Sequence, residues 1–187
     1  MENILSITTR EQLRNWLVSN SSTEKCCWVI ISIKQKPDTL LYLDAVEEAL
    51  CFGWIDGIKK KYSEDKLIQR LSPRVRNSSW TELNKQRVHR LERLGLMTEL
   101  GRKVLPDNFY NDFVIDEGIE SRLRENEITY SNFISFPELY RRIRIDTIIQ
   151  VKKDPELFEK RLNKFIENTT NGKMYGEWND NGRLLSN

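Results

Sequence analysis

Two short pieces of this chain concentrate residue types able to bind or react. Gly53-Trp54-Ile55-Asp56-Gly57 sets one carboxylate between two glycines, next to an indole. Pro73 and Arg74 through Arg76, Ser78, Ser79 and Trp80 to Asn84 and Arg87 gather guanidiniums, hydroxyls and an amide. An arginine fork meets phosphate or carboxylate oxygens two at a time. If the second piece feeds a helix N-terminus at Ser79, unpaired backbone N–H groups and the helix dipole add to the attraction for an anion. The chemistry indicated is recognition of an anionic ligand or of a partner's acidic group. The candidate set is Trp54, Asp56, Arg74, Arg76, Ser78, Ser79, Asn84 and Arg87. A plainer reading stands beside it: Ser79 caps the helix, the tryptophans pack in the core, and Asp56 is the internal partner of Arg74 or Arg87.

Catalytic motifs are missing. The single histidine, His89, falls on the solvated side of a helix wheel, so no triad has a base beside a nucleophile. HExxH, P-loop and GxGxxG patterns do not occur, and Cys26, Cys27 and Cys51 lack metal-ligand spacing, so neither a metal nor a cofactor is expected. Glu47 and Glu48 read as solvating charges opposite an apolar helix face. A non-enzymatic role is favoured. An enzyme built on the same residues and a nucleic-acid-binding module remain the alternatives.

Positioning these groups requires a mixed set of elements. Thr8 with Glu11 has capping-box spacing for a helix whose apolar face is Leu13, Trp16 and Leu17. Cys26–Ile33 is a continuous β-rich run that predicts a strand buried on both faces. A second helix opens at Asp44 and stops at Gly53. Trp54–Tyr62 and Lys66–Leu71 predict an antiparallel hairpin, with Lys59-Lys60-Lys61 protecting an edge. Ser79-Trp80-Thr81-Glu82 predicts the capping box of a long helix ending at Gly95. Its apolar arc of Trp80, Leu83, Val88, Leu91 and Leu94 also contains Asn84 and Arg87, and polar groups on a buried face need partners. Met97–Leu105 reads as a short helix. After Pro106, helices are expected over Asp116–Glu125, Thr129–Phe136 and Pro137–Lys152. Another starts at Asp154-Pro155, with Leu157, Phe158, Leu162, Phe165 and Ile166 as its core face. The fold class is therefore α+β: a small antiparallel-containing sheet packed with helices over 1–106, a helical module over 107–173, and a polar, mobile tail over 174–187.

The 187 residues suffice for a real core without staples, and the net charge is only +2. The charge is blocked, however: residues 58–103 hold 13 Lys/Arg against 5 Asp/Glu, and residues 107–138 hold 2 against 8. Either the blocks neutralise one another or the basic one forms a face for an anion. No run approaches the ~18 apolar residues of a membrane span. The charged N-terminus lacks the apolar stretch of a signal peptide, so a reducing cytoplasm is expected.

EALCFGWIDG, then SPRVRNSSWTELNKQRVHRL, then GLMTELGRK, in this order and spacing, resemble the YdeI/OmpD-associated, or bacteriocin-protection, family. FPELYRRIRIDTIIQVKKDPELFEKRLNKFIENTTNGK resembles the C-terminal helical module of that family. The resemblance covers roughly residues 5–173. It implies a bacterial, cytoplasmic, stress-associated protein linked to tolerance of bacteriocins or cationic antimicrobial peptides, and supplies no catalytic residues. Val151-Lys152 stands where the family has Ala-Lys, and Leu157-Phe158 replaces Thr-Arg after one extra residue, so no role of that Thr-Arg pair carries over.

Overall fold

The computed structural model describes residues 3–64, 66–75 and 78–185. It is α+β, with eight α-helices and a five-stranded mixed sheet among the described residues. The chain forms two compact units. One comprises Met1–Ser79 with Arg87–Asp107, the other Trp80–Gln86 with Asn108–Asn187.

The first unit is built on a central strand. β1 (Ile4–Leu5) is followed by α1 (Arg10–Asn20), β2 (Cys27–Ser32), β3 (Leu40–Leu41), α2 (Tyr42–Cys51), β4 (Trp54–Lys61) and β5 (Leu67–Pro73). β2 is buried nearly throughout, as its unbroken apolar run requires. It pairs antiparallel with β5, from Cys27↔Leu71 to Ile31↔Leu67. On its other side it pairs parallel with β1 at one end and β3 at the other. These two-residue strands are too short to show a period, and the sequence reading missed them. β4 pairs with β5 as the expected hairpin, and exposed Lys59, Lys60 and Lys61 lie on this edge strand. The ladder shifts register between Asp56 and Lys59. Buried Gln69 compensates: its side-chain amide donates to the Gly57 and Ile58 carbonyls at 3.0 and 3.3 Å, groups that the irregular ladder leaves available.

Several local expectations need correction. α1 is capped by Thr9, not Thr8, with Gln12 closing the box, because the Gln12 carbonyl reaches the N–H groups of both threonines. α2 has no side-chain cap at Asp44: it starts at Tyr42, directly out of β3. Gly53 takes φ +73°, and a Cβ there would lie 2.8 Å from the Leu100 carbonyl oxygen, so only glycine fits where the helix turns into β4. α3 (Glu82–Arg93) begins three residues later than expected, and Leu94 is exposed. α4 (Glu99–Arg102) is shorter than the expected 97–105 helix and is capped by Thr98.

The second unit holds the start of α3 together with α5 (Glu117–Arg124), α6 (Glu127–Ser135), α7 (Glu138–Ile149) and α8 (Pro155–Thr170). Asp116, Asn126 and Asp154 cap α5, α6 and α8, and Pro155 occupies the first turn as expected. Their apolar faces meet in a core that includes Ile119, Leu123, Phe133, Tyr140, Ile145, Leu162 and Phe165. Polarity predicts a mobile tail after Gly172, but the described residues there, 173–185, include anchors to the core. Tyr175 and Trp178 pack on this core, Trp178 sits edge-on to Tyr140 at 5.7 Å, and Asp180 is 5 % exposed. Two aromatic anchors outweigh the polar residues around them. No helix among the described residues is long and apolar enough to cross a membrane.

Candidate functional site

The end of the β4–β5 hairpin places a buried cation beside a carboxylate. Trp54 pairs with Pro73 across the ladder, and the Arg74 N–H donates to the Gly53 carbonyl at 2.9 Å, so Arg74 leaves the sheet next to the start of β4. Its side chain turns inward and is 7 % exposed. One guanidinium nitrogen donates to Ser78 Oγ at 3.1 Å and to the Ser79 carbonyl at 3.2 Å, closing a short loop around the cation. Burial drives the Arg74 guanidinium down to about 10, and the nearby Asp56 carboxylate offsets only part of that. Half-buried Asp56 accepts a hydrogen bond from the Tyr42 hydroxyl at 2.8 Å. The Lys59 ammonium lies 5.2 Å from the centre of the Tyr42 ring. One carboxylate thus shares its surroundings with a desolvated arginine, a phenol and a lysine.

The other candidates sort differently. Trp54 is 1 % exposed, donates Nε1–H to the Ser21 carbonyl at 3.1 Å and meets Trp16 edge-on at 5.8 Å, so it supports the site from the core. Ser79 is exposed and lends its carbonyl, not a capping hydroxyl. Arg76 lies outside the described residues. Asn84 belongs with the second unit, while Arg87, 7 % exposed, belongs with the first. His89 is half-buried rather than solvated. The helix start itself is taken. The Glu82 N–H donates to Asp146 Oδ2 at 3.0 Å and the Asn84 N–H to Thr81 Oγ1 at 3.2 Å, so two donors of the expected anion site on the α3 N-terminus are engaged within the protein. The structure brings together Asp56, Arg74, Ser78 and Ser79, and adds Tyr42 and Lys59, which the sequence reading did not assign.

A second charged cluster was missed altogether. Glu47 and Glu48, read as solvated, are each 1 % exposed. Arg10 bridges them, with Nε 2.6 Å from Glu48 and Nη1 2.5 Å from Glu47. Arg14 reaches Glu48 at 2.9 Å and Arg90 reaches Glu47 at 3.0 Å. Burial opposes the Arg10 charge, but Glu47 and Glu48 outweigh it and hold the guanidinium above its ordinary value. Arg14 also donates to the Leu96 carbonyl at 2.7 Å and stands over the Phe52 ring at 5.4 Å. Both carboxylates are ion-paired and enclosed, which suits them to hold α1, α2 and α3 together and not to proton transfer. The available signal was Arg10 and Arg14, four residues apart on one helix face, facing an adjacent acidic pair on another.

Thiol chemistry is also disfavoured at two of the three cysteines. Burial pushes the Cys27 and Cys51 thiols up to about 12, leaving almost no thiolate near neutral pH. Among the described residues, no group of three or more His, Cys, Asp or Glu is placed to hold a metal ion.

Comparison with known families divides the chain in the same region as its composition. Residues 5–104 match the model of a domain of unknown function, DUF8412. Residues 112–172 match the family described as Bacteriocin-protection, YdeI or OmpD-Associated. The GWIDG and PR…SSW…N motifs fall within the first match and the helical module within the second. No curated protein and no solved structure matches the chain.

Proposed function

We propose that this chain, which belongs to the DUF8412 family and carries a C-terminal bacteriocin-protection, YdeI or OmpD-associated domain, is a non-enzymatic cytoplasmic binding protein contributing to tolerance of bacteriocins or antimicrobial peptides. Its site takes a small anion, or an acidic group of a partner, beside Arg74. The observation that carries this reading is the geometry at Arg74: a guanidinium only 7 % exposed, held by Ser78 Oγ and the Ser79 carbonyl, near the Asp56 carboxylate. An anionic oxygen brought to such a cation is favoured more than at a solvated arginine, because the surrounding dielectric is low. Ser78, Tyr42 and Lys59 supply hydroxyls and a second cation nearby.

The basic block supports a small anion over a nucleic acid. Arg90 pairs with Glu47, and Arg102 pairs with Glu92 and Glu99, so part of the positive charge of residues 58–103 is consumed inside the fold. A nucleic-acid interface draws on unneutralised lysines and arginines for phosphate contacts.

Thermal denaturation in the presence of inorganic phosphate, AMP, pyrophosphate and succinate tests the proposal. Binding at 100 times Kd adds about 2.7 kcal/mol to stability and raises Tm measurably. The rise is expected to vanish in the Arg74→Met, Arg76→Met double variant and to grow in Asp56→Asn, where the competing carboxylate is gone. If none of the four anions shifts the wild type, or the double variant responds equally, the anion site is wrong.

A further inference from the structure

Helix α7 carries two consecutive arginines that the fold treats differently. Arg142 is fully engaged: Nε and Nη2 lie 2.9 and 2.8 Å from Glu82, and Nη1 lies 3.3 Å from Glu138. Its guanidinium also stands 5.3 Å from the centre of the Phe113 ring. Arg141 forms no ion pair among the described residues, and its buried Nε has no hydrogen-bond partner among them. Its guanidinium lies 5.3 Å from the Phe133 ring centre, an attraction that leaves the in-plane N–H donors unused. Both arginines line a cleft of about 180 Å³ with Phe113, Ile115 and Glu138.

We propose that this cleft binds a carboxylate carried on an aryl or branched apolar body. The carboxylate takes the terminal Nη–H donors of Arg141, which make no hydrogen bond among the described residues, and the apolar body lies against half-buried Phe113 and Ile115. Size and charge narrow the class further. Small-molecule pockets usually run to ~300–1,000 Å³, so this cleft holds a fragment-sized group and not a nucleotide. Glu138, 71 % exposed at the rim, repels a dianion more than a monoanion, which favours carboxylate over phosphate. The site lies wholly within the second unit and does not depend on the Arg74 reading. Two sources carry this chemistry: a free aryl or branched-chain acid, and the C-terminal carboxylate of a peptide ending in an apolar residue.

Isothermal titration and side-chain NMR on the whole chain test it. The ligands are 3-phenylpropanoate, the neutral 3-phenylpropanol, phenyl phosphate, and a tripeptide ending in phenylalanine with a free or an amidated C-terminus. The expected result is saturable binding of 3-phenylpropanoate that shifts the Arg141 Nε–Hε and Phe113 ring signals. Affinity should be at least tenfold lower for the alcohol and in the Arg141→Met variant. Should that variant fail to fold, Arg141→Gln and the wild-type NMR shifts carry the test. Binding of the free but not the amidated peptide assigns the peptide source; binding of the acid alone assigns the free-acid source. No saturable carboxylate binding, equal binding of the alcohol, tighter binding of phenyl phosphate, or shifts confined to residues outside the cleft would each overturn the proposal.

Discussion

Replacing Glu48 with glutamine tests whether the buried arginine–carboxylate cluster holds the first unit together. Glu48 is 1 % exposed and accepts from Arg10 at 2.6 Å and Arg14 at 2.9 Å, so one side chain ties α1 to α2. Glutamine keeps the volume and one acceptor oxygen. It loses the charge and turns an NH2 donor toward guanidinium donors. Removing one partner of a buried pair costs ~3–5 kcal/mol. Two features reduce that here. The Arg10 and Arg14 side chains are 29 % and 30 % exposed, so water recovers part of their solvation, and Glu47 still neutralises Arg10. The expected loss is then about 2–3 kcal/mol. In a unit of roughly 100 residues this lowers Tm by about 10–20 °C. Urea unfolding followed by far-UV circular dichroism and tryptophan fluorescence measures it: the midpoint falls while the m-value holds. Glu11→Gln, at an exposed position in the first turn of α1, is the control and costs less than about 1 kcal/mol. A cycle with Arg14→Met returns a coupling of at least about 1 kcal/mol. A Glu48→Gln protein within about 0.5 kcal/mol of wild type, or an additive cycle, would refute the cluster's structural role.

Two further predictions concern close packing and protonation. At Gly101 a Cβ would sit 2.3 Å from the Cys51 carbonyl oxygen, which already accepts from the Thr98 hydroxyl and N–H at 2.6 and 3.1 Å. Backbone cannot yield cheaply, so Gly101→Ala costs upwards of about 2 kcal/mol despite alanine's better helix propensity. Gly95→Ala, with φ +67° and open space around it, costs only the left-handed strain of about 1–2 kcal/mol; the reverse order in urea unfolding would show that α4 does not press on the end of α2. Asp146 is raised first by burial and also by Glu82, against hydrogen bonds from the Glu82 N–H and Gln150 and the charge of Lys85, which lower it. A raised folded-state value means this group's stabilisation is complete below its unfolded value and is lost as pH climbs through the folded one. Asp146→Asn therefore gains stability relative to wild type as pH is taken from about 4 to 7, and a flat or falling difference would contradict the burial.

The parts of the fold legible in the sequence are those in which local pattern and tertiary role coincide. The unbroken apolar run at Cys27–Ser32 is the central strand, the hairpin falls at Trp54–Lys61 and Leu67–Pro73, and Asp154-Pro155 opens α8. What failed was mostly polar. Periodicity identified the apolar face of α2, but could not say whether Glu47 and Glu48 faced water or the arginines of α1 and α3. The capping pattern pointed to Ser79, but Thr81 takes the Asn84 N–H, and the Glu82 N–H goes to Asp146, 64 residues after Glu82. Each of these ambiguities concerns a charge or donor whose partner is remote in sequence, and wheel position alone carries no information about it.

The same consideration separates ion-paired cations from the two proposed as binding residues. Arg10, Arg14, Arg90 and Arg142 are each matched by buried or half-buried carboxylates, so an added anion would find their charge compensated. Arg74 is buried beside Asp56, and Arg141 makes no ion pair among the described residues. An anion that binds at either place adds a counter-charge there. That is why deleting Arg74 or Arg141 should weaken ligand binding more than it weakens the fold, whereas deleting Glu48 should do the opposite.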